Sequence, residues 1–268
     1  MKIILSRKGF DSANGGCPSP ILPDGTLLSM PIPSDDSVCY EELYYNDNKY
    51  SDLLQQLNPR KAYSKCHLDP DIRKNNRLVG IPEWKPAFGQ TGSSQGLLMN
   101  AQVGVGDVFL FFGWFKQVEL YNGKYRYVRK NAADFYHSSD LHIIFGYMQI
   151  GEIITNPQRI ADYHWHPHSS HEHLKTANNT LYIPSERLSF LPDYNGYGVL
   201  DYREDRVLTM KDQNRGTWKE LDFLFPEHVY GNKKNSAKEK GLYYSGIWQE
   251  LVVFESENLL EWVKGVIE

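Results

Sequence analysis

Four polar stretches of this chain hold the residue types that do chemistry, each set between apolar segments. The first is Arg7-Lys-Gly-Phe-Asp-Ser-Ala-Asn-Gly-Gly16. It leaves the end of a short apolar run, the place where folds most often mount ligand-binding groups. Arg7, Lys8 and the hydroxyl of Ser12 suit an anionic ligand such as a nucleic-acid backbone, with the carboxylate of Asp11 beside it. The second is His67-Leu-Asp-Pro-Asp71, where alternation places His67, Asp69 and Asp71 on one face of an extended chain. Three chemistries compete for it: a divalent metal site, an acid–base pair for hydrolysis, or a turn whose carboxylates pair with Arg73, Lys74 and Arg77. No remaining metal ligand is identifiable, so no metal is assigned. The third is Phe88-Gly-Gln-Thr-Gly-Ser-Ser-Gln-Gly96. Its backbone N–H groups, with Ser93 and Ser94, could meet a phosphate, and the amides of Gln90 and Gln95 could read a base edge. It lacks the Gly-Lys-Ser/Thr ending of a Walker loop. The fourth gathers His164, His166, His168, His171 and His173. Their spacing matches neither a zinc protease nor a deaminase. Substrate contact competes here with metal binding and with a solvated loop, and His166 and His168, flanking Pro167, look best fixed. Asn178 and Asn179, just beyond, are base-edge or phosphate candidates.

Composition narrows the function class. A chain of 268 residues with 41% apolar and 23% charged residues is an ordinary globular protein with room for a sizeable core. A net charge of −4 argues against a broad basic surface that coats nucleic acid, while leaving room for a local basic stripe at a compact site. The 18 tyrosines suit core packing and stacking on bases alike. The three cysteines, Cys17, Cys39 and Cys66, form no C-x-x-C pair, so reduced thiols in a cytoplasmic protein are expected, without a zinc ribbon or disulfide framework. The opening residues do not read as a signal peptide, and the longest apolar stretch, around Val108 to Phe112, is too short to span a membrane.

The elements that must position these stretches read as strands, turns and a few short helices. Lys2 to Ser6 reads as a buried strand, and Ile21-Leu22 with Leu27 to Ile32 as a hairpin turning at Pro23-Asp24-Gly25. Ser51-Asp52 should cap a helix from Leu53 to Leu57, and the Ser93–Gly96 loop should cap one from Leu97 to Gln102. Val108 to Phe115 reads as a strand buried on both faces, followed by a hairpin at Asn122-Gly123. Leu141 to Ile154 reads as a long strand bulged at Gly146 and Gly151. Gly231 to Lys240 reads as a lysine-rich loop, with Lys233, Lys234, Lys238 and Lys240 near a nucleic-acid backbone or in solvent. Gly246 to Phe254 is a last strand, and Ser256 caps a terminal helix from Leu259 to Val266. The expected fold is therefore α+β: one β-rich domain over residues 1–268, with a mixed sheet or partly open barrel and a few short helices. Residues 103–155 resemble the small barrel of PUA, ASCH and EVE domains, a class that binds RNA or modified bases.

Ser6-Arg-Lys-Gly-Phe-Asp11, Gly15-Gly-Cys-Pro-Ser-Pro-Ile-Leu-Pro-Asp-Gly25, His67-Leu-Asp-Pro-Asp71, Phe88-Gly-Gln90, Gly106-Asp107, His166-Pro-His168 and Asn178-Asn-Thr-Leu-Tyr-Ile183 together resemble the nucleotide modification associated domain 3 family over nearly the whole chain. That family occurs in phage and bacterial genomes beside enzymes that make or process unusual DNA bases. The resemblance implies action on modified nucleic acid, in the setting of anti-phage defence, and assigns no residue a role. Joined to the residues above, it leads to an expected DNA glycosylase. A hypermodified base in DNA is flipped out, Asp11 or Asp69 orients a water and stabilises the oxocarbenium-like sugar, and His166 or His168 assists the leaving base. No cofactor motif is visible and no protein partner is expected; the partner is DNA containing modified bases. A base-modification transferase and a non-catalytic reader of modified bases are the alternatives.

Overall fold

Apolar side chains alternate between two cores along the strands at the centre of the molecule. On Val108–Tyr121, Val108, Leu110 and Phe112 face one core with Ile3, Leu5 and the helical residues Leu259, Val263 and Val266. Phe109, Phe111 and Phe115 face the other with Ile4, Phe88, Leu98 and Tyr182. Covering on both faces explains why this strand reads as a continuous apolar run. The structure is a computed structural model and describes residues 1–225, 228–230, 236–237, 242–246 and 249–268. Lys233, Lys234, Lys238 and Lys240 of the lysine-rich stretch lie outside the described residues.

The main sheet runs in the order Glu250–Val253, Ile3–Arg7, Val108–Tyr121, Leu141–Ile154, Thr180–Pro184, Phe88–Gln90. Ile3–Arg7 is parallel to Val108–Tyr121 and the other neighbours along this path are antiparallel, so the sheet is mixed, as expected. Leu141–Ile154 changes partner along its length. It pairs with Val108–Tyr121 from Leu141 to Gln149 and with Thr180–Pro184 from Ile150 onward. Register shifts fall between Ile144 and Gly146 and between Ile150 and Glu152, which bears out bulges at both glycines. At Gly151 a Cβ would stand 2.6 Å from the backbone nitrogen of Ser185, so only glycine lets the neighbouring strand approach. The sheet curls into a half-barrel. The curl brings the two end strands of the path together: Gln90 Nε2 donates to Glu250 Oε1 at 2.6 Å.

Local chemistry sets the remaining elements. Asn122 and Gly123 have φ of 50° and 74°, the left-handed pair that a tight strand-to-strand turn needs. Ser256 accepts from Leu259 N and caps the helix Glu257–Ile267, as expected. Two helices start earlier than their sequence signals indicate. One spans Tyr50–Leu57, so Ser51 and Asp52 sit inside its first turn and do not cap it. The other spans Gly92–Asn100, so Ser93, Ser94 and Gln95 are helical and do not form a loop. Its start is fixed by a distant residue: Asn178 Oδ1 accepts from Gly92 N at 2.9 Å and Asn178 Nδ2 donates to Gly92 O at 2.7 Å. That tertiary clamp, absent from the local sequence, overrides the glycine-rich signal.

Candidate functional site

Lys8 lies one residue past the opening strand, and its N–H still continues the sheet by donating to Phe112 O at 2.8 Å. This turns the side chain inward. Its ammonium stands 3.8 Å from Asp69 Oδ2 and 3.5 Å from Glu250 Oε1, and 4.2 Å from the centre of the Phe88 ring. All three charged side chains are buried, with exposures of 5% for Lys8, 3% for Asp69 and 0% for Glu250. Lysine is buried this deeply only when paired. Asp69 Oδ1 accepts from Gly89 N at 2.7 Å, with His166 Nε2 at 3.3 Å. Glu250 Oε1 accepts from Ser6 Oγ at 3.0 Å and from Gln90 Nε2 at 2.6 Å, while its Oε2 has no partner among the described residues. Glu250 faces Ser6 in strand register, which sets this geometry.

The two carboxyls are driven apart. Burial alone would raise both. At Asp69, His166 and Lys8 reverse the effect and hold the carboxyl below the ordinary range. At Glu250, burial prevails over Lys8, Ser6 and Gln90, and the pKa is raised. Lys8 and Asp69 form the ion pair, and Glu250 is the carboxyl with the greater tendency to hold a proton. Two buried carboxyls with opposed shifts are the pattern on which acid–base sites are built.

These residues line a cleft of about 610 Å³, together with Arg7, Asp11, Asn14, His67, Thr91, Ser93, Ser94, His168, His173 and Gln249. His168 lies against the strand Phe88–Gln90 because Gly89 has no side chain: a Cβ there would be 2.2 Å from His168 Cδ2. Burial pushes the His168 imidazole down to about 3, so it is neutral. Its Nδ1 is 2.6 Å from Asn179 Oδ1. His67 Nδ1 is 2.7 Å from Asp36 Oδ2. The metal-ligating atoms of His67, Asp69 and His168 lie within 4.8 Å of one another, the set among the described residues best placed to hold a metal.

The structure sorts the residues expected from sequence. It brings Arg7, Lys8, Asp69, Gln90, Ser93, Ser94 and His168 to one cleft, with Asp11 on its rim. Lys8 is a buried partner of two carboxyls and not a surface phosphate contact, because its ammonium lies over the buried Phe88 ring between them. Asp11 Oδ1 accepts from Ala13 N and Asn14 N at 2.8 and 2.6 Å, so this carboxylate holds its own turn. Ser12 opens to a neighbouring cleft and accepts from Arg215. Gln90 supports Glu250, and Gln95 points into the core, where its Oε1 accepts from the Tyr182 hydroxyl. Asn178 clamps Gly92, and Asn179 uses its amide on the Nδ1 and carbonyl of His168. Neither asparagine presents a free amide to a base. His166 is buried behind Asp69. Asp71 leaves the face shared by His67 and Asp69; Arg77 and Trp84 both donate to it.

A family model described as nucleotide modification associated domain 3 matches residues 2–253. The chain belongs to that family. No curated protein and no solved structure matches it. Membership of the nucleotide modification associated domain 3 family ties the chain to modified nucleotides and names no reaction. The whole Lys8–Asp69–Glu250 set falls inside the family match. No described helix is long and apolar enough to cross a membrane.

Glu250 has no role in the sequence reading, and His173 has none apart from its cluster. Glu250 sits at the head of an apolar strand, Glu-Leu-Val-Val, and its signal is that lone charge on a strand buried throughout. His173 was one of five clustered histidines, and only the fold turns it back onto His168, with ring centres 4.6 Å apart. A second cleft of about 820 Å³ adjoins the first, sharing Arg7 and Asp11 with it. There Arg215 lies over the Trp114 ring at 3.9 Å.

Proposed function

We propose that this protein is an enzyme acting on modified bases in DNA, and that it hydrolyses the N-glycosidic bond of a flipped-out hypermodified nucleotide. One observation carries the reading: a single buried ammonium stands 3.8 Å from Asp69, whose pKa is lowered, and 3.5 Å from Glu250, whose pKa is raised and whose buried Oε2 has no partner among the described residues. Glycosidic hydrolysis needs this pair. Asp69 orients the attacking water and opposes the positive charge that develops on the sugar. Glu250 gives its proton to the departing base and takes over the assisting role first expected of His166 or His168. His168, neutral and held by Asn179, accepts the proton of the water. Arg7 and Ser94 line the same cleft and supply contacts for the nucleotide's phosphates. Burial of the charges is useful only if the site excludes water around the reacting bond, and extruding the nucleotide into the cleft achieves this. A reader gains nothing from a buried acid and base, whereas an enzyme requires them.

The test is incubation of the purified protein with phage DNA carrying hypermodified bases and with plain DNA. Mass spectrometry follows released base, and alkaline strand breakage follows abasic sites. Release of modified base with matching abasic sites, lost in Glu250→Gln and Asp69→Asn, is the expected result. Selective binding without release would replace this reading with a reader. The adjoining cleft favours one further reading, a base-modification transferase whose donor occupies it. A mass change on the DNA itself, appearing only when a donor is added, would establish that instead.

A further inference from the structure

We propose that His67, Asp69 and His168 bind one divalent first-row transition-metal ion on the wall of the cleft. Their ligating atoms already lie within 4.8 Å of one another. Around a single ion, ligands at metal bonds of about 2.0–2.2 Å stand roughly 3–4 Å apart, so a small side-chain rotation closes the set.

The orientation of the imidazoles carries the argument further. His67 Nδ1 lies 2.7 Å from Asp36 Oδ2, a carboxylate oxygen that accepts, so Nδ1 bears the proton. His168 Nδ1 lies 2.6 Å from Asn179 Oδ1. Asn179 Nδ2 donates to His168 O at 2.9 Å, which fixes the amide and makes Oδ1 the acceptor. Both rings therefore point Nε2, with its lone pair, away from these outer partners. Neither Nε2 has a hydrogen-bond partner among the described residues. An outer acceptor that locks the far nitrogen is the usual support of a metal-bound histidine. Asp69 lines the same cleft, with Gly89 N on Oδ1 at 2.7 Å and the Lys8 ammonium 3.8 Å from Oδ2, so a bound ion shares this carboxylate with Lys8. Gly89 also clears the space in which the His168 ring sits.

Two imidazoles and one carboxylate suit zinc, cobalt or ferrous ion, whereas calcium and magnesium prefer oxygen alone. Three protein ligands leave coordination positions open to the cleft, the arrangement of a catalytic rather than a structural ion. The proposal shares Asp69 and His168 with the reaction proposed above, and a bound ion would occupy the His168 lone pair and take over from it the activation of the water; metal binding and base release are read by separate measurements.

The experiment takes the full chain, strips it with a chelator and dialyses it against zinc and cobalt(II), with ferrous ion in an anaerobic arm. One ion per chain is expected, with visible cobalt bands and an X-ray absorption spectrum that shows two imidazole ligands. His67→Ala and His168→Ala should each weaken binding roughly 100-fold or more, and Asp36→Asn about 10–100-fold. His171→Ala, at an exposed position, should bind as the parent does. Absence of stoichiometric binding by all three ions overturns the proposal. So does a bound ion without imidazole ligands, or equal affinity in the His67→Ala/His168→Ala double variant. If the alanine variants do not fold, the absorption spectrum of the loaded parent protein decides alone.

Discussion

A lysine held between two carboxyls away from water balances one negative charge, and a second would remain uncompensated. At Lys8 the carboxyl held ionised is Asp69, because His166 adds to the pull of the ammonium, while burial raises the pKa of Glu250. The two residues should therefore respond differently to neutralisation. Glu250→Gln leaves the Lys8–Asp69 pair whole and should cost no more than about 1–2 kcal/mol in urea unfolding. Asp69→Asn breaks the pair and should cost ~3–5 kcal/mol, less whatever Glu250 recovers by ionising in its place. On base release, Glu250→Gln should lower turnover about 10²–10⁴-fold while DNA binding persists in a gel-shift assay. The pH dependences have opposite signs. Asp69, with its folded pKa depressed, adds stability above the unfolded value of about 3.9, lost as pH falls through the folded pKa. Glu250, with its folded pKa raised, adds stability fully present below about 4.3 and lost as pH rises through the folded pKa. Stability curves against pH for the parent and Glu250→Gln should show that second decline only in the parent.

The elements around the site are held by contacts that span the sequence. Gly89 lets the strand Phe88–Gln90 touch the His168 ring, and a methyl group there would begin 2.2 Å from the ring carbon. Gly89→Ala should destabilise the fold by about 1–3 kcal/mol through overpacking. Adding His168→Ala should return much of that loss, because it empties the contested space. A double-mutant cycle by thermal unfolding would check this, and strictly additive costs would show that the two residues do not compete. The helix Gly92–Asn100 depends on Asn178 in a similar way. Asn178→Ala should expose the first turn, seen as faster amide exchange at Ser93 and Ser94, with a stability loss of about 1–2 kcal/mol.

The two end strands of the half-barrel meet at the site through one side-chain hydrogen bond, from Gln90 to Glu250. Gln90 lowers the Glu250 pKa by hydrogen bonding to the ionised form, so Gln90→Ala should move it further up. The alkaline fall in base release should shift to higher pH in that variant, and an unmoved pH profile would count against Glu250 as the acid. Much of this architecture was legible in the residues. The Val108–Phe112 run, the Asn122-Gly123 turn, the bulges at Gly146 and Gly151 and the Ser256 cap are local signals, and local physics decides them. The opening loop, His67-Leu-Asp69 and His168 were legible as polar clusters interrupting apolar strands. Their partnerships were not. Whether Lys8 faces solvent or a buried carboxyl depends on Glu250, far along the chain, and on a curl set by two bulges. Asn178 and Asn179 have the composition of ligand contacts, but their amides are spent inside the protein on atoms that no sequence window contains.

The seam between Gln90 and Glu250 also bears on how the protein is made. Synthesis runs from Ser6 and Lys8 through Asp69, Gln90 and His168, and Glu250 leaves the ribosome long after its partners. Until then only one of the two carboxyls that stand beside Lys8 has been made, and only one of the two strands that border Ile3–Arg7. The acid that the proposed reaction needs is thus the last of these side chains to be made, and the proposed site is complete only after nearly all of the matched region has been translated.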